Sequence, residues 1–163
     1  MGERPLWAPW RIEYITGPKA GECIFCAAAA ERDGSSEQVL EAGDECFTML
    51  NAFPYASGHI MVAPYRHVGE LEGLEERELL EMMALTRRAI SALRDVMAPD
   101  GFNAGFNIGE VAGAGYADHL HLHVVPRWRG DTNFMPVLGG TRVISQALEE
   151  TRATLVAALA RLR

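Results

Sequence analysis

Three histidines alternate with apolar residues in the stretch Asp118-His119-Leu120-His121-Leu122-His123-Val124-Val125-Pro126-Arg127-Trp128. Alternation of this kind predicts a β-strand half buried in a sheet. Side chains of a strand point alternately to its two faces. His119, His121 and His123 therefore share one face, and Leu120, Leu122 and Val124 the other. Neighbours on one face start roughly 7 Å apart. The fold must accordingly supply a sheet with one greasy face and one face polar enough to carry a row of imidazoles.

Such a row has three readings. It is a set of buried, hydrogen-bonded core histidines, or a metal site, because alternate histidines on a strand are a ready way to hold zinc. In the third reading one histidine is a nucleophile, with neighbours acting as metal ligand and phosphate partner. The sequence contains only five histidines, His59, His67, His119, His121 and His123, and each lies on or just after a predicted strand. That concentration argues against a merely structural role.

At 163 residues the chain is long enough for one domain with a substantial core. Its formal charge of -7 argues against a nucleic-acid polymer as partner, because such binding rests on basic surface. A small nucleotide stays open, since its phosphates need only a local site. No apolar run reaches the eighteen or so residues of a membrane span. Met1 to Pro9 carries no signal-peptide core. Three cysteines, two of them in Cys23-Ile24-Phe25-Cys26, point to a reducing compartment and to metal rather than disulfides. The expected location is the cytoplasm.

Residues 1–22 read as an apolar arm, with Leu6, Trp7, Trp10, Ile12, Tyr14 and Ile15, docked on its own domain or on a partner subunit. Ala27 to Ala30 favours a short helix ended by Asp33-Gly34-Ser35-Ser36. Strands are predicted from Val39, over Cys46–Leu50, over Gly58–Pro64 and over Phe102–Ile108. The clearest helix spans 75–97, with Leu79, Met83, Thr86, Ile90, Leu93 and Met97 as its apolar stripe and Pro99 as its stop. Residues 130–140 read as a loop. A last helix runs from about 142 to the C-terminus with Ile144, Leu148, Leu155, Leu159 and Leu162 on one side. Connections at 52–57 and 109–118 are short enough for antiparallel neighbours. The expected class is α+β, an antiparallel sheet with the long helix packed on one face.

Two further features carry chemistry. Cys23 and Cys26 have the spacing of a zinc knuckle, although redox motifs share it. Zinc would need two more ligands, and histidines are available. The loop Gly109-Glu110-Val111-Ala112-Gly113-Ala114-Gly115 can turn backbone N–H groups toward an anion, which beside a row of histidines suggests phosphate.

His119-Leu120-His121-Leu122-His123-Val124-Val125 resembles the signature of the histidine triad (HIT) superfamily of nucleotide hydrolases and transferases. The run from Gly58 to His67 resembles that family's second block, and Cys23-Ile24-Phe25-Cys26 the first block of its zinc-containing members. The resemblance covers roughly residues 23 to 126. It implies an α+β half-barrel, usually dimeric. His121 falls on the nucleophile that attacks an α-phosphorus and becomes nucleotidylated. His123 falls on the phosphate-contacting position and His59 behind the nucleophile. Cys23, Cys26, His67 and His119 fall on the ligands of a structural zinc. Asn51 matches a ribose-holding position, Asn107 a phosphate-side asparagine, and Ile24, Phe25 and Met49 apolar positions around the base. Relatives often carry glutamine or serine four residues before the first triad histidine. Here Gly115 stands there, followed by Tyr116, so backbone N–H groups or the Tyr116 hydroxyl would have to assist the leaving phosphate.

The flanks Leu6 to Arg11 and Pro126 to Phe134 resemble diadenosine tetraphosphate phosphorylases and close bacterial relatives more than compact phosphoramidases. The expectation is a homodimeric or larger enzyme that cleaves dinucleoside polyphosphates and uses inorganic phosphate as acceptor. Arg127 and Arg129 are its candidate phosphate-holding residues, and Trp128 is the candidate shield of the nucleotidyl-histidine. A hydrolase of the same substrates and a phosphoramidase are the enzymatic alternatives; a non-catalytic nucleotide-binding protein is the other class. The expected organisation is an arm over 1–22, a catalytic domain over 23–130, and a loop-and-helix extension over 131–163.

Overall fold

The computed structural model describes residues 23–31, 38–131 and 148–162. In chain order its elements are helix α1 (Ile24–Ala30), strands β1 (Val39–Ala42), β2 (Cys46–Leu50) and β3 (Ile60–Pro64), helix α2 (Glu76–Met97), strands β4 (Gly101–Phe106) and β5 (Leu122–Arg127), and helix α3 (Leu148–Arg161). The strands form one antiparallel sheet in the order β1-β2-β3-β5-β4. This is the expected α+β architecture.

Side-chain alternation sorts each inner strand onto two layers. Cys46 and Leu50 of β2, Ile60 and Val62 of β3, and Leu122 and Val124 of β5 face a core shared with α2 and α3. Phe47 and Met49, with Met61 and Ala63, face the other way and meet Phe25 and Ala28 of α1. Strands buried on both faces read as continuous apolar runs, as Cys46–Leu50 and Ile60–Pro64 do. The histidine row stands on the α1 side of the sheet.

Helix α2 sits where expected, but its first turns differ from the anticipated stripe. Its buried residues are Glu78, Met82, Leu85, Thr86, Ala89, Ala92 and Leu93. Leu79 and Met83 of the anticipated stripe are 37% and 57% exposed. Ala89 and Ala92 are both fully enclosed on its buried side. Thr86 and Leu93 of that stripe are buried and Ile90 and Met97 pack against the core, so the stripe departs from the contact only in its first turns. The N-terminus is held by Glu78, whose carboxylate accepts the Glu75 N–H at 2.7 Å. Ala98 ends the helix in the left-handed region, at φ 45°.

A second correction concerns the histidine strand. Hydrogen-bonded pairing starts only at Leu122. Ahead of it Leu120 donates its N–H to the Val68 carbonyl at 2.7 Å, so His119 and His121 enter from a loop-to-loop contact. Helix α3 adds Leu155, Ala158 and Leu159 to the main core, while Leu148 and Leu162 stay largely exposed. The arm over 1–22, most of the loop over 130–140 and the stretch 142–147 lie outside the described residues.

Candidate functional site

The sheet brings four of the expected ligands together. Cys23 and Cys26 come from the start of α1, His67 from the turn after β3, and His119 from the approach to β5. Their ligand atoms all lie within 4.8 Å of one another. Cys23 Sγ is 3.3 Å and Cys26 Sγ 3.6 Å from His119 Nδ1. Cys26 Sγ is 3.2 Å from His67 Nδ1, and the two Nδ1 atoms are 3.3 Å apart. Tetrahedral zinc with its usual bond lengths needs roughly 3.3 Å between two nitrogens and roughly 3.6 Å between sulfur and nitrogen. The donor set fits such an ion.

Protonation agrees with that fit. The Nε2–H of His119 donates to the Pro64 carbonyl at 3.0 Å, which leaves a lone pair on Nδ1 facing the cluster. Burial pushes the His119 imidazole down to about 4, against the pull of the Pro64 bond; His67 and His121 add to the drop. The ring is thus neutral near pH 7, as a ligand must be.

His121 is fixed by its neighbour's backbone. Its Nδ1 is 2.8 Å from the His119 carbonyl, so Nδ1 carries hydrogen and Nε2 keeps the lone pair. Burial lowers the His121 pKa, with the His119 bond opposing, so the ring is neutral at physiological pH. A neutral imidazole with its free nitrogen turned away from its anchor is equipped to attack an electrophile.

His123 lies beside it, ring centroids 4.7 Å apart and nearly perpendicular. His123 Nδ1 is 2.9 Å from His59 Nε2, and Asn107 Nδ2 is 3.3 Å from His123 Nε2. His59 thus meets His123 directly. Three participants had no sequence signal. The backbone N–H of Tyr55 donates to His59 Nδ1 at 3.1 Å, and its ring packs on His59 at 4.6 Å. The carbonyls of Pro64 and His119 are backbone groups, which no residue pattern reveals.

Other expected residues lie elsewhere or are enclosed. Phe25 and Met49, expected around a base, are fully buried with Met61 and Ala63; Ile24 is half-buried beside them. Asn51 uses its side-chain oxygen to accept the Phe53 N–H at 2.8 Å, closing the turn after β2. Tyr116 sets its ring against Phe25 at 6.0 Å, and Gly115 precedes it in the loop. Arg127 is at the far end of β5, roughly 20 Å along the chain from His121 at strand spacing. It is forked onto Asp131 and bonded to Asn103. Arg129 donates its N–H to Asp100, and the Trp128 indole N–H reaches the Met97 carbonyl at the end of α2. The described chain therefore does not bring Arg127, Trp128 or Arg129 to its own histidines.

An antiparallel α+β sheet with a row of imidazoles beside a Cys₂His₂ set defines a histidine-triad protein with a cluster able to hold a metal ion. The chain belongs to the HIT-domain family, whose model matches residues 33–130. It is 42% identical over 164 residues to an AP-4-A phosphorylase of Mycobacterium tuberculosis, covering 96% of this chain and 84% of that protein. A zinc-bound histidine triad family protein from Mycobacterium smegmatis aligns with a TM-score of 0.69 and 30% identity, over 86% of this chain and 95% of the other. A hypothetical histidine triad nucleotide-binding protein from Sulfolobus tokodaii aligns with a TM-score of 0.68 over 86% and 93% of the two chains; at 22% identity it bears on the fold alone.

Proposed function

We propose that this chain is a dinucleoside polyphosphate phosphorylase of the diadenosine tetraphosphate type, with His121 as covalent nucleophile. One observation carries the chemistry: the His119 carbonyl holds Nδ1–H of His121 and so frees Nε2. The likeness over nearly the whole chain to an AP-4-A phosphorylase carries the substrate class.

In the first step His121 Nε2 attacks the α-phosphorus. The N–P bond forms, the bridging P–O bond breaks, and ATP leaves with the electron pair. The positive charge that develops on the His121 ring is shared with the His119 carbonyl. His123 and Asn107, which face one another at the next position of the row, contact the phosphoryl oxygens. In the second step an oxygen of inorganic phosphate attacks the same phosphorus, the N–P bond breaks, and ADP leaves with His121 neutral again. Gly115 and Tyr116 would assist the leaving group, and Asn51 with Ile24 would border the nucleoside. Buried Phe25 and Met49 back that wall rather than touch the base.

Cys23, Cys26, His67 and His119 would hold one structural zinc, which when bound clamps α1 to the sheet. A closed four-ligand set leaves no position for water, so every proton and nucleophile comes from the chain or the substrate. Free thiols suit a reducing compartment such as the cytoplasm, and among the described residues no helix is long and apolar enough to cross a membrane. A second copy would pair along β4, whose outer edge meets no strand among the described residues.

The test is product analysis with diadenosine tetraphosphate, with and without phosphate. ATP and ADP are expected when phosphate is present. ATP and AMP at a rate indifferent to millimolar phosphate would move the enzyme to the hydrolases. With Arg127 bonded to Asp131 and Asn103 at the far end of β5, the reading assigns phosphate preference to other groups, and Arg127→Ala is expected to leave the product pattern unchanged.

A further inference from the structure

We propose that Phe25 is a positioning residue for His121 and the mechanical link between the metal cluster and the catalytic row. The inference rests on reading His121 as the nucleophile.

Phe25 lies between the two cysteines, in a seven-residue helix. A helix this short is marginal by itself, and its N-cap Cys23 makes no side-chain capping bond. Two things fasten it to the sheet: the Cys–His cluster and the burial of Phe25 and Ala28. Phe25 is 0% exposed, so it offers no face to a ligand. Its ring lies 5.0 Å from that of His119 at 35° and 4.6 Å from that of His121 at 31°. One aromatic ring therefore touches both a cluster imidazole and the nucleophilic one. Tyr116 stands nearly perpendicular to the same ring at 6.0 Å.

His121 needs such a support. Its hydrogen bond to the His119 carbonyl pins Nδ1 but leaves the ring free to swing about that point. Nε2, at the opposite side of the ring, would travel furthest in such a swing. Phe25 blocks the swing on one face, and His123 stands edge-on at 4.7 Å. Misplacing a reacting atom by about 1 Å costs on the order of 10²-fold in rate. Ligands at Cys23 and Cys26 flank Phe25 on both sides, so a clamped cluster holds the ring against His121.

The experiment compares Phe25→Leu with Phe47→Leu in the metal-loaded protein. Phe47 is equally buried in the same apolar cluster, but it stacks on Tyr65 at 5.2 Å. Rapid quench with labelled diadenosine tetraphosphate reads formation of the nucleotidyl-protein, and a chromophoric chelator reads metal content. NMR reads the His121 ring protons, which lie in the ring current of Phe25. The expected result for Phe25→Leu is adduct formation slowed by about tenfold to 10²-fold, KM and metal content as in wild type, and displaced His121 ring protons. Phe47→Leu should show none of these. Wild-type adduct rates in Phe25→Leu, equal slowing in both variants, or loss of metal in Phe25→Leu would each overturn the proposal. If Phe25→Leu does not fold, Phe25→Met is read by the same criteria. Absence of any adduct in the wild type would instead strike the reading of His121, which separates the two failures.

Discussion

His59 Nε2 stands 2.9 Å from His123 Nδ1, and the far nitrogen of His59 accepts the Tyr55 backbone N–H at 3.1 Å. Together these contacts set two tautomers. With Nδ1 an acceptor, neutral His59 carries its hydrogen on Nε2 and donates to His123 Nδ1. His123 then carries its own hydrogen on Nε2, the nitrogen beside Asn107. A donor there calls for the Asn107 amide turned with its oxygen toward the ring. The sum of these bonds is a His123 N–H turned toward Asn107.

His59→Ala should therefore act through His123. Turnover is expected to fall by about tenfold to 100-fold, the scale seen when an orienting partner is lost. Two-dimensional nitrogen NMR should show His123 changing from one tautomer to a mixture. A His123 spectrum unaltered by the substitution would break the link.

His121→Ala should abolish the covalent adduct and cut turnover at least roughly 10³-fold, the scale of removing a nucleophile. Nucleotide binding should survive, because the other imidazoles and the apolar wall remain. Retention of a phosphoramidate-type adduct in this variant would place the nucleophile elsewhere.

Metal content should be about one zinc per chain. Cys23→Ser should lose it and melt at lower temperature, since α1 then lacks the metal clamp. Chelator treatment of the wild type should reproduce that shift. Protein free of metal that melts with Cys23→Ser indistinguishable from wild type would remove the structural role.

The sequence made part of this site readable for a physical reason. Alternation sorted His119, His121 and His123 from Leu120, Leu122 and Val124, because a strand has only two faces. Cysteines with two residues between them and histidines from distant segments were readable because few chains spend those residues together. The contact of the first turns of α2 was not, because Glu78 is buried there and Leu79 and Met83 are exposed. Nor was the start of β5 at Leu122, which depends on Val68, fifty residues away in the chain, accepting from Leu120. The contacts of Arg127 with Asp131 and Asn103 were not legible either, because they join β5 to a neighbouring strand and to the turn that follows.

Ala98→Gly should raise stability by about 1 kcal/mol, the cost of a left-handed conformation for a residue with a Cβ. Ala98 sits at φ 45° and ψ 52° at the end of α2, where glycine is the usual choice. Denaturant melts at fixed m-value read the gain. An unchanged or lowered midpoint would mean that Ala98 packing outweighs its backbone strain.

Glu78 links stability to pH. It is 1% exposed, and Arg66 grips both its oxygens, at 2.8 and 2.5 Å. Arg66 is followed directly by His67, so this bond also steadies a cluster ligand. The Arg66 hydrogen bond holds the Glu78 carboxyl below its usual range, against desolvation and with help from the Glu75 N–H. The folded pKa is thus lower than the unfolded one. Such a group contributes stability that is complete above the unfolded value of about 4.3 and is lost as pH falls through the folded value. Wild-type melting temperature should therefore drop on acidification below that point. In Arg66→Met the carboxylate loses its partner, and burial now raises its pKa. The sign then reverses: the unfolded state ionises first, and the variant should gain stability as pH falls from 7 toward 5. Thermal melts of both proteins across that range decide the matter. Parallel slopes would show that Glu78 titrates no differently without Arg66, and the pair would then be a surface contact of little consequence.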